Sequence, residues 1–137
     1  MNILENKVKN LEVNTRPASD RDIEMLQENL GFSLSAEYRE YLKIFGVIAY
    51  GAYETYGLGV PDNYYLNVLN AYRDLSEDSS YPECAVPLME VGDGQYYLYD
   101  SKNSQVLLWA TPHGGVVRTL HENLESFLLR HIFAMKN

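Results

Sequence analysis

The sequence predicts an α+β fold: a mainly antiparallel sheet, built largely as a C-terminal meander, with helices packed on it. Two patterns carry this reading. Apolar residues recur at helical spacing between polar caps over residues 19–46 and again near the C-terminus. Between them, short apolar runs alternate with turns rich in Gly, Asp and Asn over residues 85–118. Strands joined by such short turns must run antiparallel, and helices grouped apart from them cover the sheet instead of alternating with it.

The elements follow in chain order. Residues Ile3 to Leu11 suggest a short first helix with Ile3, Leu4, Val8 and Leu11 on one side. Ser19 is placed to cap a second helix, where Asp20 and Asp22 favour the positive end of the helix dipole. Ile23, Leu26 and Leu30 form its apolar stripe, and Gly31 stands where a left-handed residue ends a helix. Ser35 caps the next helix, which presents Tyr38, Tyr41, Leu42 and Phe45 before Gly46. The Tyr- and Gly-rich stretch from Val47 to Val60 reads as a loop with one short strand. Pro61 and Asp62 then open a further helix, with Tyr65, Val68, Leu69, Tyr72 and Leu75 facing inward.

The last third is the meander. Ala85 to Val91 is a strand whose Pro87 places it at an edge or delays its start. Gly92-Asp93-Gly94 turns into Gln95 to Tyr99, apolar or aromatic on both faces and therefore central. Asp100 to Ser104 turns into Gln105 to Ala110, and Gly114-Gly115 leads to a short strand at Val116 to Arg118. Leu120, Leu124, Phe127, Leu128 and Phe133 mark the closing helix, with Thr119 and Glu122 spaced as a capping box. No linker, repeat or low-complexity tract divides the chain, so residues 1–137 read as one domain. Leu26, Leu42, Phe45, Tyr97, Leu107 and Trp109 are the expected core.

Composition narrows the function. The chain carries 19 acidic and 11 basic residues, a net charge of −8. That balance lacks the basic footprint that holds a phosphate backbone or an anionic membrane surface, so no direct nucleic-acid or membrane partner is expected. The sequence opens with no apolar segment of the signal-peptide kind, and the single cysteine, Cys84, has no internal partner. Both fit a cytoplasmic protein. Tyrosine is over-used: twelve Tyr stand against four Phe and one Trp. Its ring serves cores and its hydroxyl serves wet interfaces.

Two stretches resemble the SUKH superfamily, which includes bacterial immunity proteins and yeast regulators of cell-wall synthesis. SDRDIEMLQENLGFSLSAEYREYLKIFG, Ser19 to Gly46, is similar to the family's opening: an acidic helix ending in Leu-Gly, a Leu-Pro step, and a Tyr- and Leu-bearing helix ending in Asn-Gly. Here Ser35 stands in place of the Pro and Phe45 in place of the Asn. GDGQYYLYDSKNSQVLLW, Gly92 to Trp109, is similar to the family's Gly-Asp-Gly hairpin with strands ending in Asp and Trp. The resemblance implies an α+β SUKH-like fold and, for a bacterial member, binding and neutralising a toxin. It implies no catalytic residues.

The residues themselves offer little chemistry. His121 and His131 are about 15 Å apart on a helical spacing, too far to share a metal, and His113 sits beside a glycine turn. Cys84 lies among acidic residues, with no adjacent base to activate it as a nucleophile. Asp93 and Asp100 are separated by about 23 Å of extended strand, whereas a glycosidase pair stands about 5–10 Å apart. Turn formation explains both. No enzyme, cofactor or metal site is therefore expected.

The polar feature with most to offer is the acidic segment holding Asp74, Glu77, Asp78 and Glu83 around Tyr81. Acidic charge beside an aromatic anchor steers and holds a basic partner, although a solvated loop explains the same residues. Tyr53 and Tyr56 are the next candidates, with Tyr50 in the same series; on a strand Tyr53 faces opposite to the other two. The expected function is a non-enzymatic immunity protein that binds a cognate bacterial toxin, with a basic nuclease as the natural target of an acidic inhibitor. The alternative is an intracellular scaffold or regulatory protein-binding module.

Overall fold

The structure, a computed structural model, describes residues 1–135. Helix α1 (Asn2–Lys9) buries Leu4 completely but leaves Ile3 58% exposed, so its apolar side is narrower than the sequence spacing suggests. Helix α2 (Asp20–Leu30) starts at Ser19, whose Oγ accepts the Asp22 N–H at 3.1 Å. It buries Ile23, Leu26 and Leu30 and ends at Gly31 with φ +79°. Helix α3 (Ala36–Ile44) repeats this logic: Ser35 Oγ accepts the Tyr38 N–H at 3.2 Å, and Tyr38, Tyr41 and Leu42 face inward. Gly46 follows with φ +72°, and a Cβ there would stand 1.6 Å from the Arg16 carbonyl oxygen. Two constraints, handedness and close backbone approach, thus demand glycine here.

The stretch after α3 holds two strands where the sequence suggests one. Strands β2 (Ile48–Tyr50) and β3 (Tyr53–Glu54) form a hairpin, and β1 (Asn14–Thr15) joins β2 on its other side, all antiparallel. Strands β1 and β3 are two residues each, too short to leave an alternation in the sequence.

The helix expected from Pro61-Asp62 starts later than those residues. Helix α4 spans Val68–Leu75, with Asn67 as its cap: Asn67 Oδ1 accepts the Leu69 and Asn70 N–H groups at 3.0 and 3.2 Å. The backbone before it bonds sideways. Gly57 N–H donates to Leu66, and Val68 N–H donates back to Gly57, each at 2.9 Å. That parallel bridge holds Asn67 extended and prevents the helix from starting earlier.

Strands β4 (Ala85–Gly92), β5 (Gln95–Asp100), β6 (Gln105–Ala110) and β7 (Gly115–Leu120) form an antiparallel meander in sequence order. Strand β4 lies at the edge, as Pro87 requires. Strand β7 is longer than the expected Val116 to Arg118. Asp93, between two glycines, takes φ +53° in the first turn. Asp100 Oδ1 accepts the Lys102 and Asn103 N–H groups in the next, at 2.9 and 3.3 Å. Helix α5 (Leu124–Phe133) is capped by Asn123, whose Oδ1 accepts the Ser126 N–H at 2.8 Å. The expected Thr119 capping box does not form, because Thr119 is paired with Leu107 inside β7.

The sheet separates two apolar clusters. Tyr97, Tyr99 and Val106 face helices α1, α2, α3 and α5 in the larger one. Ala85, Leu98, Leu107 and Trp109 occupy the opposite face, where Leu75, Tyr81 and Tyr96 pack against them. All six expected core residues are buried, Tyr97 the least so at 9% exposure. Glu37 links the layers: its Oε1 accepts the Tyr99 hydroxyl at 3.1 Å and the Leu124 N–H at 3.0 Å.

Candidate partner-binding surface

The acidic segment after α4 is a built part of the fold. Trp109 Nε1–H donates to the Ser80 carbonyl at 3.1 Å, and the Tyr81 ring meets Trp109 edge-on with centroids 5.2 Å apart. Tyr81 is half-buried, donates its hydroxyl to the Ala85 carbonyl at 2.8 Å, and has its pKa raised by burial. Asp78 takes four hydrogen bonds: from Ser80 N–H and Oγ–H at 2.8 Å each, from Thr111 Oγ1–H at 2.7 Å, and from His113 N–H at 2.8 Å. These donors, Thr111 first, hold its carboxyl well below the usual carboxylate range. Its side chain is only 8% exposed. Asp78 and Tyr81 thereby form a platform over the back of the sheet, from which Glu77 and Glu83 stand exposed.

Asp74, exposed on α4, belongs to a different grouping. It lines a cleft of about 270 Å³ with Tyr56, Tyr64, Tyr65 and Tyr96. An adjoining cleft of about 330 Å³ shares Tyr56 and Tyr65 and adds Glu54 and Glu90. Four tyrosines from three separate segments thus meet beside three carboxylates.

Each ring is placed by local structure. A bulge at Leu88, between Pro87 and Met89, turns its carbonyl to the Tyr56 N–H at 2.8 Å. Tyr96 lies opposite Glu90 across the β4–β5 ladder and donates its hydroxyl to that carboxylate at 3.5 Å. Tyr64 and Tyr65 stand on the turns before α4, their rings 4.7 Å apart, and Tyr65 donates its hydroxyl to Glu54.

The field here is negative. Burial, and then the proximity of Tyr96, Glu90 and Glu54, pushes the Tyr56 hydroxyl up to about 12. Burial and Glu90 raise Tyr96, and the hydrogen bond to Glu54 raises Tyr65. All three rings stay neutral across the physiological range.

Tyr53 lies elsewhere. It is 39% exposed and meets His131 on α5 edge-on at 5.5 Å, while Tyr50 packs on Phe133 at 5.1 Å. His131 is half-buried and stacked on Phe127 at 5.2 Å, not a surface residue; His121 precedes α5 and shares no helical face with it. Among the described residues no group of three His, Cys, Asp or Glu is arranged to hold a metal ion, and no helix is long and apolar enough to cross a membrane.

Sequence reasoning passed over Tyr64, Tyr96, Glu54 and Glu90 as site residues and turned Tyr65 inward on a helix, whereas it lies before α4 and is exposed. The adjacent Tyr64-Tyr65 pair was visible, but its expected helix points the two rings apart. Glu54 and Glu90 are single acids 36 positions apart, and only the approach of Tyr56 to the β4 bulge joins them.

A larger groove of about 660 Å³ runs between α2 and α4. Its walls mix Asp22, Asp62 and Arg73 with the amides of Asn29 and Asn70, so both signs of charge line it.

The family described as SMI1-KNR4 cell-wall (SUKH_5) matches residues 1–133. No curated protein matches the chain. A crystal structure of a protein from Pseudomonas syringae pv. tomato has a similar fold, with a TM-score of 0.75 and 14% identity over 93% of this chain and 95% of that one.

Proposed function

The chain belongs to the SMI1-KNR4 cell-wall (SUKH) family, and on that premise we propose that it is an immunity protein acting in the cytoplasm, which binds a cognate bacterial toxin and blocks it without chemistry of its own. One observation carries the reading: an acidic protein of net charge −8 displays a tyrosine face rimmed by Glu54, Glu90 and Asp74. Tyrosine supplies large contact area at low entropic cost, and surrounding carboxylates steer a basic surface into register. A nuclease offers such a surface, because its substrate cleft must attract phosphate. Glu77 and Glu83, on the rigid platform next to α4, extend the negative field, and Tyr53 lies outside this face.

The test is co-expression with the toxin encoded beside this gene, followed by binding kinetics of the purified pair. Rescue of growth with a tight complex supports the proposal. A toxin that is neither bound nor inhibited overturns it and favours a regulatory or scaffolding role.

A further inference from the structure

We infer that the tyrosine face seats an arginine side chain of the partner, with a ring of the cluster as stacking surface and Glu54 and Glu90 as acceptors. The inference rests on the proposed basic partner for the source of that arginine. The geometry selects the cation. The exposed rings of Tyr64 and Tyr65, at 40% and 59% exposure, and the half-buried Tyr56 and Tyr96 offer aromatic surface that attracts positive charge.

Rings alone would equally suit a quaternary ammonium, but carboxylates at the cleft wall call for a cation that donates hydrogen bonds. Glu54 and Glu90 each accept one tyrosine hydroxyl. An ionised carboxylate has about four lone-pair sites, so most of its capacity is left for a ligand. Those same hydroxyl bonds hold the acceptors still, which reduces the ordering cost on binding. Guanidinium is preferred over ammonium because it is planar, stacks on a ring, and donates through a fixed fork to carboxylates. A cleft of about 330 Å³ lies at the small end of ligand sites, which suits one long side chain.

The experiment compares three Gly-Ser peptides that differ in one central residue, Arg, Lys or trimethyl-lysine. Each is titrated into the full chain while tyrosine ring signals are followed by NMR. The Arg peptide is expected to shift Tyr56, Tyr65 and Tyr96 and to bind about fivefold tighter than the Lys peptide. Glu90→Gln, Glu54→Gln and Tyr65→Ala should each weaken it severalfold. Tyr65 is exposed and its hydroxyl bonds the exposed Glu54, so this last variant spares the fold. Glu24→Gln, on the exposed side of α2, should leave binding unchanged.

Equal affinity for Arg and Lys, preference for trimethyl-lysine, or an equal loss in Glu24→Gln would overturn the inference. The toxin reading fails separately. Arginine selectivity without toxin binding keeps this site and removes the toxin. Toxin binding that ignores Glu90→Gln, Glu54→Gln and Tyr65→Ala removes this site and keeps the toxin.

Discussion

The buried hydroxyl of Tyr41, on α3, donates to the backbone carbonyl of Tyr56 at 3.0 Å. The same oxygen is bonded to Thr55 Oγ1, which in turn accepts the Ile48 N–H at 2.8 Å. A core helix thereby fixes the backbone of a ring in the aromatic cleft, so fold stability and site geometry share one polar group. Tyr38, one turn earlier on α3, contrasts with it: its hydroxyl is fully buried and has no hydrogen-bond partner among the described residues.

That contrast sets the first prediction. Tyr41→Phe leaves the Tyr56 carbonyl without its donor and should cost about 1–3 kcal/mol. Tyr38→Phe removes a polar atom that has already lost its water, and should leave stability unchanged or raise it. Urea melts of both variants check this; a larger loss from Tyr38→Phe than from Tyr41→Phe would contradict it.

The core residue Phe45 is 1% exposed. Phe45→Ala should cost about 3–5 kcal/mol, a large share of the stability of a chain this size. Ser19→Ala, losing one helix cap, should cost about 1 kcal/mol. A loss below 1 kcal/mol for Phe45→Ala in denaturant melts would place that ring outside the load of the core.

Gly31 and Gly46 both follow helices with positive φ, yet they should respond differently. A Cβ on Gly31 meets nothing within 4 Å, so Gly31→Ala should cost only the left-handed conformation, about 1–2 kcal/mol. Gly46→Ala drives its methyl into the Arg16 carbonyl and should prevent the native fold. Circular dichroism and thermal melts of the two variants separate these outcomes.

Asp78 gives a pH prediction. Its folded pKa lies below the ordinary value of 3.8, so its contribution is complete above that value and is lost as pH falls below it toward the depressed folded value. Asp78→Asn should lower the melting temperature at pH 7, and the gap to the parent protein should narrow below about pH 4. A gap that is constant with pH would show that the carboxylate charge is not what holds the segment to the β6–β7 turn.

Glu77 and Glu83 are exposed charges, and their effect should be kinetic. Reversing both to Lys should slow association with a basic toxin at low salt and matter less at physiological salt, where screening acts beyond about 8 Å. Stopped-flow association at two ionic strengths measures it; unchanged rates would put these residues outside the steering field. Tyr81→Ala should register first as lost stability, since its ring packs on Trp109.

The sequence by itself determined the elements whose causes are local. Ser19 and Ser35 cap the helices they precede, because a cap needs only a side chain and the N–H groups that follow it. Gly31, Gly46 and the Gly92-Asp93-Gly94 turn stand where the backbone turns left-handed, and the helical stripes divide buried from exposed residues. From these the α+β class, the edge position of β4 and the buried core were legible, and the order of caps and turns pointed to the SUKH family.

What only the tertiary structure decided is wherever a backbone or side chain bonds a distant partner. The Gly57–Asn67 bridge delays α4, β1 finds β2 more than thirty residues away, and Thr119 is taken by the sheet so that Asn123 caps α5. The candidate binding face is of the same kind. Asp78 looks like a free charge in sequence but is held by Thr111 and His113. Tyr56, Tyr65, Tyr96, Glu54 and Glu90, scattered along the chain, become one surface because a bulged strand carbonyl and a buried tyrosine hydroxyl fix Tyr56 between them. Such contacts depend on distances in space that no local pattern encodes.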